Sequence, residues 1–180
     1  MEKKKELIEK ITVPDNVTVT IENNNVVVKG EKGTLSRVFS HPNIHLKIDG
    51  KILEISCKLP RKKDKALLNT FVAHIKNMIK GVTVGFEYKM KTVFSHFPIK
   101  TSVEGKVVLI QNFLGERSPR RAEILEGVTV EPKGDDITVK GIDKEKVGQT
   151  IANIERATKV KNRDVRVFQD GVYKVVKWRK

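Results

Sequence analysis

The chain has 180 residues, with 36 Lys+Arg against 22 Asp+Glu and a formal charge of +14. Apolar residues make up 38%, enough for a core, but the longest apolar stretches, such as residues 107–110, are far too short to span a membrane. No apolar segment follows the charged start, so no secretory signal is expected, and the one cysteine, Cys57, cannot close an internal disulfide, which suits a reducing compartment.

Taken in chain order, residues 17–22 alternate as a half-buried strand should. Three asparagines at 23–25 supply a turn, and residues 26–30 return. A Gly-containing loop leads to a third alternating run, residues 43–49. Asp49-Gly50 reads as a two-residue hairpin turn, with residues 51–57 as its return strand. The period then changes. Leu68, Phe71, Val72, Ile75, Met78 and Ile79 recur at helical spacing between Asp64, a plausible N-cap, and Gly81, a plausible C-terminal stop. Strand-like residues 82–93 follow.

The second half repeats this order. Strands are expected at residues 99–103, 106–110, 128–132 and 136–140, with Gly134-Asp135 where Asp49-Gly50 stood. Asp143 can cap a helix running to about Lys159, with Val147, Ile151 and Ile154 on one face and Glu145 at the positive end of its dipole. Residues 165–168 and 172–176 read as a closing hairpin around Asp170-Gly171. The plan implies an α+β fold of two duplicated domains. Each would be an antiparallel sheet, partly open and barrel-like, packed with one main helix. The expected domains are residues 1–84 and 85–180, joined by a short linker within 82–95.

Catalytic chemistry finds little support. His41, His45, His74 and His96 lack a metal-ligand rhythm, and no second cysteine supports a zinc site. His74 falls beside the apolar face of its helix, where partial burial accounts for it. Cys57 reads as a small apolar filler in a strand. The Gly30–Gly33 loop fails the phosphate-loop pattern because Lys32 precedes the second glycine. Asp135 and Asp136 occupy a turn, where Asp is common for backbone reasons.

Basicity is distributed and then concentrated. Each half of the chain carries +7, yet residues 155–180 alone carry +6, and Arg117, Arg120 and Arg121 cluster near a turn. Such local excess attracts a polyanion, and the arginine fork matches phosphate geometry. Within the last segment Arg166, Phe168, Tyr173 and Lys174 alternate with valines. One face of a hairpin there would present cations to phosphates and rings to unpaired bases. Phe168 and Tyr173 read alternatively as aromatics of the sheet core. Lys159 and Lys161 also complement the helix dipole.

Several blocks resemble one known family. Residues 112–120, Asn-Phe-Leu-Gly-Glu-Arg-Ser-Pro-Arg, are similar to the loop of the ribosomal large-subunit protein L-six family. Residues 141–150 with Ala152-Asn-Ile resemble its second-domain helix, and residues 166–173, Arg-Val-Phe-Gln-Asp-Gly-Val-Tyr, resemble the C-terminal motif of the archaeal and eukaryotic branch. Residues 28–35 and 77–89 resemble its first-domain segments. The resemblance covers about residues 11–177, and the compact length points to an archaeal member.

The resemblance implies a non-enzymatic, cytoplasmic constituent of the large ribosomal subunit that needs no cofactor or metal. Its partners would be the 3′-terminal domain of large-subunit ribosomal RNA, near the sarcin–ricin loop and stalk base, and neighbouring ribosomal proteins there. The second domain would be the principal RNA-binding unit. Arg117, Arg120, Arg121, Arg163, Arg166 and Tyr173 map onto the family motifs, and Lys32 and Gly33 onto the first-domain loop. Lys159, Lys161, Lys174 and Lys177 complete the candidate set from the charge reading. The tail from Lys174 departs from the acidic ending of the family. The rival readings are a small RNA-processing enzyme and a basic adaptor acting outside the ribosome.

Overall fold

Thirteen strands and two α-helices follow one another in a computed structural model that describes residues 6–22, 24–58 and 60–175. The chain divides into two units, Met1–Gly85 and Phe86–Lys180.

In the first unit, β1 (Glu6–Thr12), β6 (Ile52–Lys58) and β5 (Ile44–Asp49) form one antiparallel sheet in the order β1-β6-β5. A second sheet has the order β2-β3-β4, from Thr18–Glu22, Asn25–Gly30 and Gly33–Val38. Helix α1 (Lys62–Thr83) packs against strands of both sheets. The helical-spacing residues Leu68, Phe71, Val72, Ile75, Met78 and Ile79 are all buried, against Val26, Val28, Leu53, Ile55 and Cys57 from the strands.

The ends of α1 differ from the sequence expectation. Arg61, not Asp64, is the N-cap, and Asp64 sits in the first turn, where its carboxylate accepts the Arg61 N–H at 3.0 Å. Gly81 lies inside the helix and is buried. The stop is Gly85, with φ 80°, whose N–H returns to the Lys80 carbonyl at 3.0 Å. The helix continues past Gly81 because its last turn is held by the β3–β4 hairpin. Val82 packs on Gly30 so closely that a Cβ there would lie 2.8 Å from its Cγ2. The Val82 carbonyl accepts the Lys32 N–H at 3.1 Å.

The β5–β6 turn also shifts by one residue. Asp49 pairs with Ile52, so Gly50 and Lys51 form the loop, and only Gly50 has positive φ, 56°. This is the pattern of a II′ turn, which requires glycine only at its first position. The Gly134-Asp135 loop has the same form, with Lys133 paired to Asp136.

The second unit repeats the plan from β7 (Phe86–Val93) onward. Strands β8 (Lys100–Glu104), β9 (Val107–Gln111) and β10 (Arg120–Glu123) form one sheet in the order β10-β9-β8. Strands β11 (Val128–Lys133) and β12 (Asp136–Gly141) join β7 and β13 (Gly171–Lys174) in the order β11-β12-β7-β13. Thus β7 takes the place that β1 holds in the first unit: the strand after α1 opens the second repeat instead of closing the first. Helix α2 (Lys144–Ala157) is capped by Asp143, whose side chain accepts the Glu145 N–H at 2.9 Å. Its buried face, Val147, Ile151 and Ile154, meets Met90, Ile110, Ile137 and Val139.

The closing hairpin does not form. Residues 165–167 make a turn, in which the Asp164 carbonyl accepts the N–H groups of Val167 and Phe168 at 3.1 and 2.9 Å. Among the described residues of the two expected arms only β13 is a strand, and its partner is β7; residue 176 lies outside the described residues. Strands β1, β4 and β10 lie outside the sequence reading.

Candidate nucleic-acid interface

After β9 the chain makes a tight reversal. Asn112, Leu114 and Gly115 have φ of 59°, 51° and 77°, while Phe113 and Leu114 are buried. The Asn112 side chain fixes the reversal by donating to the Pro98 carbonyl at 3.0 Å. The sequence then runs through Glu116 and Arg117 to β10, placing three arginines within five residues.

These three are not equivalent. Arg120 is turned inward. Its guanidinium lies 4.1 Å from the centroid of the Phe113 ring. Nε and Nη2 donate to the two Glu116 carboxylate oxygens at 2.8 and 2.6 Å, and Nη1 donates to the Ala157 and Lys159 carbonyls at 2.9 and 3.0 Å. Four of its five N–H groups therefore serve the fold. Those hydrogen bonds hold the Glu116 carboxyl below the usual carboxylate range, against an opposing effect of burial, and Arg163 adds to the lowering. Arg117 and Arg121 are exposed, and their side chains make no hydrogen bond or ion pair with the described residues.

The carbonyls that Arg120 binds lie at the last residue of α2 and two residues beyond it, so the arginine loop meets the basic segment after the helix. Lys159, Lys161 and Arg163 are exposed there. Arg163 stacks its guanidinium over Phe168 at 4.8 Å, and the Phe168 ring lies 5.2 Å from that of His96. Arg166 forms a fork with Asp164, at 3.2 Å from Nε and 3.0 Å from Nη2, which lowers the Asp164 pKa. Its side chain still stands 87% exposed.

Thr158 joins the helix end to β13. Its hydroxyl donates toward the Ile154 and Glu155 carbonyls, both at 3.2 Å, and accepts the Val172 N–H at 3.1 Å. On β13 Tyr173 is 47% exposed, and its hydroxyl donates to the Gln169 carbonyl at 3.1 Å. Lys174 places its ammonium 4.2 Å from the Tyr88 ring centroid, while its backbone N–H donates to Glu155 at 2.9 Å. Phe168 is half-buried against the second core, whereas Tyr173 is exposed. Lys177 lies outside the described residues.

Lys32 and Gly33 belong to the first unit. Gly33 has φ 144° and pairs with Gly30. The Lys32 ammonium donates to the Val84 carbonyl, so it clamps the hairpin to the end of α1.

Two other candidates are accounted for by packing. His74 is half-buried with Nδ1 3.1 Å from Arg37 Nη1. Cys57 is fully buried, and burial pushes its thiol up, with Asp64 adding to the effect, which disfavours a reactive thiolate. Among the described residues no group of three His, Cys, Asp or Glu could hold a metal ion, and no helix is long and apolar enough to cross a membrane. Sequence reasoning passed over Arg156, an exposed cation in the last turn of α2, and Glu116, whose role depends on a contact the sequence does not display.

The family model described as ribosomal protein L6 matches residues 13–85 and again residues 97–171. The chain belongs to the ribosomal protein L6 family. The double match falls on the two repeats of the fold. Among similar proteins is the large ribosomal subunit protein uL6 of Methanobrevibacter smithii, 53% identical over 169 residues, covering 94% of this chain and 95% of that one. The uL6 of Methanosphaera stadtmanae is 52% identical over 178 residues, covering 98% and 97%. That of Methanococcus vannielii is 47% identical over 169 residues, covering 94% and 93%. These relatives are archaeal. Membership of the L6 family makes this a ribosomal protein with a structural, non-enzymatic role in the cytoplasmic ribosome.

Proposed function

We propose that the second unit binds large-subunit ribosomal RNA through the surface where the arginine loop meets the end of α2. Arg117, Arg121, Lys159, Lys161 and Arg163 neutralise phosphates, and Tyr173 offers a ring to the RNA. Arg166 and Lys174 flank that surface, each already engaged with one local partner. Arg120 and, in the first unit, Lys32 act as clamps that hold cationic loops in place. The supporting observation is the bond of Arg120 to the Ala157 and Lys159 carbonyls, because it draws two basic segments that are far apart in sequence onto one surface.

The likeness to uL6 proteins supports a more specific location. The RNA is the 3′-terminal domain of the large-subunit species, close to the sarcin–ricin loop and stalk base, with neighbouring ribosomal proteins as further partners. The clustered positive field steers encounter, and the rigid loop geometry sets register on folded RNA.

A salt titration of the full chain against a folded fragment of that RNA tests the assignment. With Arg117→Ala and Arg121→Ala together, affinity falls and the slope of log K against log salt flattens by about 1.5, as expected for two lost phosphate contacts. Wild-type affinity and slope in the double variant would remove these two residues from the interface.

A further inference from the structure

Beside the cationic surface, the end of α2 and the segment that follows it border an open groove of about 470 Å³. Val160, Val165 and the Phe168 ring give it an apolar lining, and Tyr173 stands in its wall. The Tyr173 ring is oriented in advance. Its hydroxyl is tied to the Gln169 carbonyl, and the ring packs on Gly171, where a Cβ would lie 2.9 Å from its Cζ. Phe168 is fixed by Arg163 and His96 at its ring. Arg156 and Lys159 also line the groove, and neither side chain makes a hydrogen bond or ion pair with the described residues. The groove's one carboxylate, Glu155, already accepts the Lys174 N–H.

We propose that this groove takes one unstacked nucleotide of RNA, its base against Tyr173 and its phosphate on Arg156 and Lys159. The proposal rests on the reading of the second unit as an RNA-binding surface and makes it more specific. The volume is that of a small-molecule site, not of a helical groove contact. An exposed ring accepts any base by its π-face, and the adjoining cations complement the phosphate that necessarily accompanies it. A base within a duplex cannot reach the ring, so the groove selects a looped-out or single-stranded position. An apolar peptide side chain would use the lining but leave both cations without partners.

The test uses the full chain with a folded large-subunit RNA fragment, and hexa-adenylate as a second probe. Tyr173→Leu weakens RNA-fragment binding about tenfold, as loss of one stacked base does, with the salt slope unchanged. Arg156→Gln weakens it and lowers the slope by about 0.7. Hexa-adenylate shifts the amide NMR signals of Val160, Phe168 and Tyr173. Should Tyr173→Leu fail to fold, Arg156→Gln and the NMR titration carry the test. Wild-type affinity in the groove variants, while the Arg117/Arg121 double variant is weakened, overturns the groove and leaves the RNA-binding reading standing. Shifts at the groove with an apolar peptide and none with hexa-adenylate also overturn it. No binding of the RNA fragment by the wild-type chain removes the reading and the groove together.

Discussion

Arg120 Nη1 donates to the backbone carbonyl of Lys159 at 3.0 Å, although 39 residues separate them. The same guanidinium stacks on Phe113 and forks onto Glu116. An arginine at this position therefore shapes the basic surface from behind. Arg120→Ala removes the stack, the fork and both carbonyl contacts, and a loss of about 2 kcal/mol in unfolding free energy is expected in denaturant titration. Arg120→Lys should recover only part, since a lysine has no planar fork. A stability equal to wild type in Arg120→Ala would refute the clamp.

The clamp has a pH signature. Arg120 lowers the folded-state pKa of Glu116 below the ordinary 4.5. A depressed carboxylate contributes stability that is present above its unfolded pKa and is lost as pH falls from there through the folded value. Stability of the wild-type chain should therefore drop more steeply than that of Glu116→Gln as pH falls below about 4.5. Parallel curves for the two proteins in acid titration would show that the pair contributes nothing.

Close backbone packing beneath α2 gives another prediction. Gly141 ends β12 directly under Val147, and a Cβ there would meet Val147 Cγ2 at 2.6 Å and the Gly127 carbonyl at 3.1 Å. Gly141→Ala should cost about 1–3 kcal/mol, as overpacking does, measured as a lowered denaturation midpoint. Gly148→Ala is the control, because a Cβ there meets nothing within 4 Å. Helix propensity should make that change neutral or stabilising.

Lys32 is expected to act on the first unit alone. Lys32→Ala removes the ammonium from the Val84 carbonyl and should lower stability by about 1 kcal/mol. Filter binding to the ribosomal RNA fragment should give the wild-type affinity. A weakened complex with a flatter salt slope would instead make Lys32 a phosphate contact.

The sequence shows the repeat because hydrophobic period is local information. Leu68 to Ile79 and Val147 to Ile154 announce two helices, and the glycines at 50 and 134 announce hairpins, the first of them one residue out of register. What escaped depends on distant partners. Strand β10 is half arginine, and its pairing rests on β9 and α2. The C-terminal hairpin looked sound because valines alternate around Asp170-Gly171. Yet the buried Asp170 carboxylate accepts the Ser95 N–H from 75 residues away, and β13 pairs with β7. The arginine cluster was legible as charge, but the inward turn of Arg120 required Phe113, Glu116 and the end of α2 to be seen together. Gly81 looked like a helix stop because nothing local reveals that the β3–β4 hairpin holds the next turn.

Sedimentation of the native chain with ribosomal subunits tests the central claim most directly. Wild-type chain should comigrate with the large subunit and be released by RNA digestion, while the Arg117/Arg121 double variant should leave the particle at lower salt. Migration with a protein partner that survives nuclease and high salt, or identical retention of the variant at every salt concentration, would contradict an RNA-held attachment through this surface.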